Sequence, residues 1–234
     1  NLITGTDLEN ADRYSLRGSL TYRSNEKFEA SFTADYRKVK QNTNALETLN
    51  YADGSGNFLA LTIGGFPGPN SDPWDRDTYG DIDPSEKLEM WGGNLRLEWE
   101  LPFADLISVS GYRGHKYAGI YDTEQTAARW TYSSSPEKVW RFSEEIRLVS
   151  NQDNSLEWIV GSYFYKQYTD NQFTGLFGQE LTDFFGLPAG FKLTSEGLQN
   201  VESYAVFANA SYQISPEWSV KMGGRYTYEK KDIE

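Results

Sequence analysis

Residues Asp12 to Arg37 read DRYSLRGSLTYRSNEKFEASFTADYR. In the first half, Tyr14, Leu16, Gly18, Leu20 and Tyr22 alternate with Arg13, Ser15, Arg17, Ser19, Thr21 and Arg23. A period of two places each set on its own face of an extended strand. Ser24-Asn25-Glu26 is a turn cluster, and beyond it Phe28, Ala30, Phe32, Ala34 and Tyr36 alternate with Glu29, Ser31, Thr33, Asp35 and Arg37. Two such strands with so short a connection form an antiparallel hairpin.

The unit recurs three times. Leu95, Leu97, Trp99 and Leu101 alternate with Arg96, Glu98 and Glu100, and a turn at Pro102-Phe103-Ala104 leads to a return strand carrying Ile107 and Val109. Gly111, Gly114 and Gly119 are expected to place a bulge in that strand. Trp140, Phe142, Ile146 and Leu148 precede the turn at 151–154, and Trp158, Val160 and Phe164 follow it. Tyr204, Val206, Ala208, Ala210 and Tyr212 pass through Ser215-Pro216-Glu217 to Val220, Met222, Gly224, Tyr226 and Tyr228. The expectation is about eight strands of roughly ten residues or more, long against the usual five or six. The spans between hairpins are long and loop-like: Gln41 to Glu86, Asp122 to Lys138, and Asp170 to Asn200. No helical period stands out.

Composition limits the function classes. Seven Trp, 16 Tyr and 13 Phe supply far more buriable surface than a disordered chain carries. No run approaches the roughly 18 apolar residues of a membrane helix. With 22 Lys plus Arg against 34 Asp plus Glu, the net charge of -12 argues against a nucleic-acid binder. The absence of Cys excludes disulfides, thiolate metal sites and cysteine nucleophiles.

Alternation alone fits both a soluble barrel with an apolar centre and a membrane barrel with a polar lumen. Strand length favours the membrane, because about 9–11 tilted residues cross the hydrocarbon. Aromatic placement agrees. Tyr22, Phe28, Trp99, Phe103, Trp158 and Trp218 fall beside tight turns, while Tyr14 and Tyr36 fall at the opposite strand ends. Two such rows match the aromatic girdles of a membrane barrel. The fold class expected is an all-β, antiparallel transmembrane β-barrel wall with tight periplasmic turns and long extracellular loops, residues 1–234 forming one incomplete domain. An aromatic-rich soluble β-protein that binds carbohydrate is an alternative, and a passive porin-like or structural barrel is another.

The hairpins resemble those of TonB-dependent outer-membrane receptors. The resemblance lies in Asp12 to Arg37, in RFSEEIRLVSNQDNSLEWIVGSYFY (Arg141 to Tyr165), in ESYAVFANASYQISPEWSVKMGGRYTYEKK (Glu202 to Lys231) and in LISVSGYRGHKYAG (Leu106 to Gly119). It implies a barrel of about 22 strands, filled by a plug domain, in the outer membrane of a Gram-negative bacterium. It also implies active import of a scarce large ligand of the siderophore, cobalamin or oligosaccharide class, with outer-membrane lipid, the plug and a periplasmic TonB-type energy-coupling protein as partners. The chain is expected to be an internal piece of such a barrel, without the energy-coupling box, plug or terminal strand.

Catalysis has little support. His115 is a lone histidine, expected to face lumen or loop water, and Glu144 and Glu145 point to opposite faces of one strand. Arg13, Arg17, Asp35, Arg37, Glu98, Arg141, Arg147 and Arg225 suit a ladder of opposite charges on the lumen wall. DRDTYGDIDPSE, from Asp75 to Glu86, matches most of the spacing of a calcium loop. Asp75, Asp77, Asp83 and Glu86 are the candidate ligands, with Gly80 at the sharp turn and Asp81 offering its carbonyl. Tyr79 stands where that pattern needs Asp or Asn. Trp74, Tyr79, Trp130, Tyr132, Phe184 and Phe185 are the loop aromatics that would contact a ligand, and the stretch Gly175 to Phe191 has the makings of a small lid.

Overall fold

The computed structural model describes residues 1–24, 27–43, 77–151 and 155–234. Their strands are β1 (Ala11–Ser24), β2 (Phe28–Asn42), β3 (Ser85–Glu100), β4 (Ala104–Asp122), β5 (Thr131–Ser134), β6 (Glu137–Ser150), β7 (Leu156–Phe177), β8 (Lys192–Ser215) and β9 (Trp218–Ile233), with one helix, α1 (Gln179–Phe185). All pairings are antiparallel and, with β5 and β6 sharing one position, follow chain order, so the sheet is an up-and-down meander with β1 and β9 at its edges.

Nine strands fill eight positions, because β5 and β6 lie end to end between β4 and β7. Proline explains the break. Ser135 N–H still donates to the Gly119 carbonyl and Gln172 N–H to the Pro136 carbonyl, at 3.1 and 2.9 Å. The return bond from Pro136 to β7 is missing because proline has no N–H. The register on both neighbours runs through the interruption unchanged.

Three sequence expectations are corrected. β4 holds one register along β3 and β6, so its glycines make no bulge; the register shift lies at Gln213/Ser215, beside the β8–β9 turn. That register turns Ile107 and Val109 to the polar face and Leu106, Ser108 and Ser110 to the apolar one, through pairing with Glu98, Arg96, Trp99, Leu97 and Leu95. The span from Asp170 to Asn200 is mostly strand, since β7 and β8 stay paired to Leu176↔Lys192 and leave a short connection that holds α1. A seven-residue helix is too short to display a period.

The glycines of β4 and β7 serve packing across the sheet. Gly114 faces Trp91 and Gly161 faces Phe207 in register. A Cβ there would come within 2.6 Å of the Trp91 ring or 2.5 Å of the Phe207 ring tip, so each aromatic occupies the space over its glycine.

Among the described residues no large interior core forms, and most of the large exposed apolar side chains lie on one face, Leu16 at 74 % and Met222 at 77 %. A patch so extensive needs a covering surface, and strands of this length fit hydrocarbon. Phe28 pairs with Trp99 beside the turns, while Tyr14 packs on Tyr36 at 5.8 Å and Trp140 on Tyr168 at 6.2 Å towards the loops. Phe142, Phe164 and Tyr204 join across three strands at 6.2 and 5.0 Å. These are the expected aromatic rows, and the next outward positions carry ion pairs: Lys38–Glu89, and Lys166–Glu202 at 2.7 Å. A register row from Leu20 through Leu95 and Glu144 to Tyr228 starts near the turns and ends far from them, the stagger of tilted barrel strands.

Glu144 breaks the pattern. It lies on the apolar face midway between Leu148 and Trp140, accepts a 2.7 Å hydrogen bond from Ser108 and sits opposite Ser110. Glu145, on the other face, pairs with Arg147 at 2.8 Å. Glu144→Leu is expected to stabilise the folded barrel by about 1–2 kcal/mol, since an acidic group on the lipid face is costly. Urea unfolding of the receptor in lipid vesicles measures it, and a lower midpoint would refute that account.

Candidate functional site

The polar face forms a hydrogen-bonded wall. Ser19 and Thr33 hydroxyls meet at 2.9 Å, and Arg113 grips Asp35 through two contacts of 2.8 and 3.3 Å. Arg225 stacks over Tyr163 and Phe207 at 5.6 and 5.8 Å, and His115 Nε2 lies 2.8 Å from Glu137. Nearer the loops, Glu86 gathers Tyr117, Tyr121 and Gln41, and Arg13 donates on to Gln41 at 3.0 Å. Long side chains held this way present a fixed pattern of donors and acceptors to whatever occupies the enclosed space.

Above this wall stands an ordered rim. Asn1 donates to the Gly80 carbonyl at 2.8 Å and to Asp83 at 3.0 Å, and Thr4 donates to Asp83 at 2.6 Å. Glu124 accepts from Trp130 N–H, Thr131 N–H and the Thr131 hydroxyl at 2.9–3.1 Å, which folds the β4–β5 loop. Helix α1 hangs from the residue before β5 through Gly178 N–H to the Trp130 carbonyl at 2.7 Å, with Leu181 and Thr182 buried beneath it. Gly186, at φ 64, ends the helix in the left-handed region and donates back to Asp183. Phe184 and Phe185 stay outside, 50 % and 62 % exposed, edge to face at 5.1 Å.

Asp81, Asp122 and Glu124 bring carboxylate oxygens within 4.8 Å of one another. Tyr132 donates to one Asp81 oxygen at 3.1 Å and Gln125 N–H to one of Asp122 at 2.7 Å; the second oxygen of each is buried without a hydrogen-bond partner. Burial pushes the Asp81 carboxyl up to about 6, with the Tyr132 bond opposing and the Glu124 charge adding to the rise. Burial likewise raises Asp122, and the Glu124 charge adds to that. Oxygens so placed suit a hard divalent cation such as calcium.

The family model described as TonB dependent receptor-like, beta-barrel matches residues 21–233. The chain belongs to this receptor family. Its fold is similar to that of the ferric yersiniabactin uptake receptor FyuA from Yersinia pestis, with 12% identity and a TM-score of 0.65 over 99% of this chain and 32% of that one. It is also similar to the siderophore receptor PiuA from Acinetobacter baumannii, with 16% identity and a TM-score of 0.63 over 97% and 37%. The RagAB peptide transporter shares the fold at 12% identity and a TM-score of 0.51, over 96% and 29%. The receptor barrel segment thus spans about a third of the length of these structures. No curated protein sequence matches it.

Within the receptor rim, the sequence candidates take different places. Trp74 and Asp75 lie outside the described residues. Trp130 and Tyr132 are half-buried and hold the rim together, Tyr132 through Asp81, whereas Phe184 and Phe185 face outward. Tyr79 is half-buried, and Asp77 lies beside it in the same segment. Asp83 is bound to Asn1 and Thr4, and Glu86 to the tyrosines, so these two carboxylates do not converge. The residues that converge come from two loops, and no local motif marks them. Hairpin register does, since continuing Ser85↔Ile120 past the strand ends sets Asp81 abreast of Glu124.

Proposed function

We propose that this chain is part of the barrel of an outer-membrane receptor that actively imports a scarce, large ligand in a Gram-negative bacterium. The observation that carries the reading is the pairing of a polar, internally bonded wall with an ordered rim that displays an aromatic pair above it. A passive pore needs no such rim, and a soluble sugar binder needs no apolar outer face. The rim captures ligand, the lumen wall seats a plug domain, and a TonB-type protein supplies the energy from the periplasm. The siderophore class is favoured by what FyuA and PiuA are named for; the scaffold performs no covalent chemistry.

Uptake of radiolabelled ferric siderophores by cells expressing the full-length receptor tests this. Uptake is expected to saturate and to stop when a protonophore collapses the inner-membrane gradient; uptake indifferent to the gradient would favour the porin-like alternative. The double variant Phe184→Ala/Phe185→Ala is expected to weaken binding of the transported ligand about 10–100-fold, as losing an exposed aromatic anchor pair does. Equilibrium binding to purified receptor measures that change, and unaltered affinity would remove the pair from the site.

A further inference from the structure

We infer that Asp81, Asp122 and Glu124 form a calcium site that locks the segment before β3 to the β4–β5 loop. Their carboxylate oxygens lie within 4.8 Å of one another, although Asp81 precedes β3 and the other two close β4. An acidic group on a surface needs no ion; this one differs in its burial. Asp122 is only 8 % exposed, and its Oδ2 has no hydrogen-bond partner. That oxygen lies against Gly80, where a Cβ would stand 2.6 Å from it, so it points at the segment that carries Asp81. Gln125 N–H holds Oδ1 at 2.7 Å and fixes the carboxylate in this direction. Asp81 Oδ1 is likewise buried without a partner, while Tyr132 holds Oδ2 at 3.1 Å. Each aspartate thus keeps one oxygen bonded and one bare. A buried anionic oxygen without a donor is costly to hold, and a cation shared by all three residues removes that cost.

Side chains of the protein do not neutralise the group. Arg129 reaches Asp81 with its charge, but among the described residues it is exposed and takes part in no ion pair. Glu180, in the first turn of α1, adds another negative charge near Asp81 and has a buried oxygen without a partner. A cavity of about 310 Å³, lined in part by Asn1, Thr78, Gly80, Asp122 and Gln125, opens beside the group. The Thr78 hydroxyl there also lacks a partner, on a residue 4 % exposed. The cavity gives an ion its route and leaves room for the waters that complete its shell. All the donors are oxygens, which selects a hard cation. Calcium accepts about six to eight oxygens in a flexible shell, whereas magnesium demands a near-ideal octahedron that two separate segments do not build. The bound ion ties those segments together, and the site stands whichever ligand the receptor imports.

The test uses the full-length receptor in neutral detergent, stripped with chelator and titrated with calcium alone. Isothermal titration is expected to show uptake with a dissociation constant of about 0.1–1 mM, the range of extracellular calcium modules. Asp122→Asn and Glu124→Gln, made separately, are each expected to weaken uptake at least about tenfold. Glu217→Gln, beside the β8–β9 turn at the other end of the wall, is expected to leave it unchanged. Terbium gives a second readout. Trp130 N–H is bonded to Glu124 and Tyr132 to Asp81, so both rings stand ready to sensitise an ion held between these carboxylates. Terbium emission is expected from the wild type, to fall as calcium is added, and to be lost from Asp122→Asn. Heat-modifiable gel mobility checks that each variant is folded. No calcium uptake below about 10 mM, or uptake and emission by folded Asp122→Asn equal to the wild type, would overturn the assignment.

Discussion

Phe32→Arg is expected to destabilise the folded barrel by about 2–4 kcal/mol, while Thr33→Arg, one residue along, costs about 1 kcal/mol or less. Phe32 lies midway between Phe28 and Tyr36 on the apolar face, in register with Leu20 and Leu95. A guanidinium there has hydrocarbon on every side and must drag water or headgroups inward. At Thr33 the same group enters the polar wall, loses the Ser19 hydroxyl contact and gains water and Asp35 as neighbours. Urea-dependent folding of the full-length receptor into phospholipid vesicles measures both. Equal costs, or a larger one at Thr33, would mean that the faces are assigned the wrong way round.

Gly178→Ala is expected to release α1 from the rim, a local loss of about 3 kcal/mol or more. A Cβ at this position would stand 1.9 Å from the Arg129 carbonyl oxygen and 2.4 Å from its carbon. Neither is the end of a flexible side chain, so helix and strand must part. That breaks the bond from Gly178 N–H to the Trp130 carbonyl and exposes Leu181 and Thr182. Glu180 moves with the helix, so the charge around Asp81 changes as well. Chymotrypsin is expected to cut after Phe184 or Phe185 far faster in the variant, with the barrel still folded by gel mobility. An unchanged cleavage rate would show that the helix is held by something other than this contact.

Sequence carried most of the wall because a two-sided strand must alternate at each residue. The hairpin at Asp12 to Arg37, all four tight turns and both aromatic rows follow from that requirement. Where a single residue decides register, the pattern left the facing open. Ile107 and Val109 do not by themselves set the phase of their strand, and pairing with Glu98 and Arg96 turns them inward. Glu144 was legible as a residue on the Trp140 face, but its Ser108 partner needed the same register. The rim was least legible. Asp81, Asp122 and Glu124 are brought together by long-range pairing. The helix is hidden in a segment whose seven residues are fixed by one glycine contact.

The Ser135–Pro136 interruption has a mechanical consequence. Every transverse bond along β6 resists sliding of the membrane wall, but at Pro136 the seam to β7 lacks one stitch. A sliding force applied at the rim meets its first unbonded position there. The loop-side piece, β5, is thereby tied to β7 by its own short ladder of four residue pairs, and the long ladder below it, thirteen pairs between β6 and β7, is unaffected.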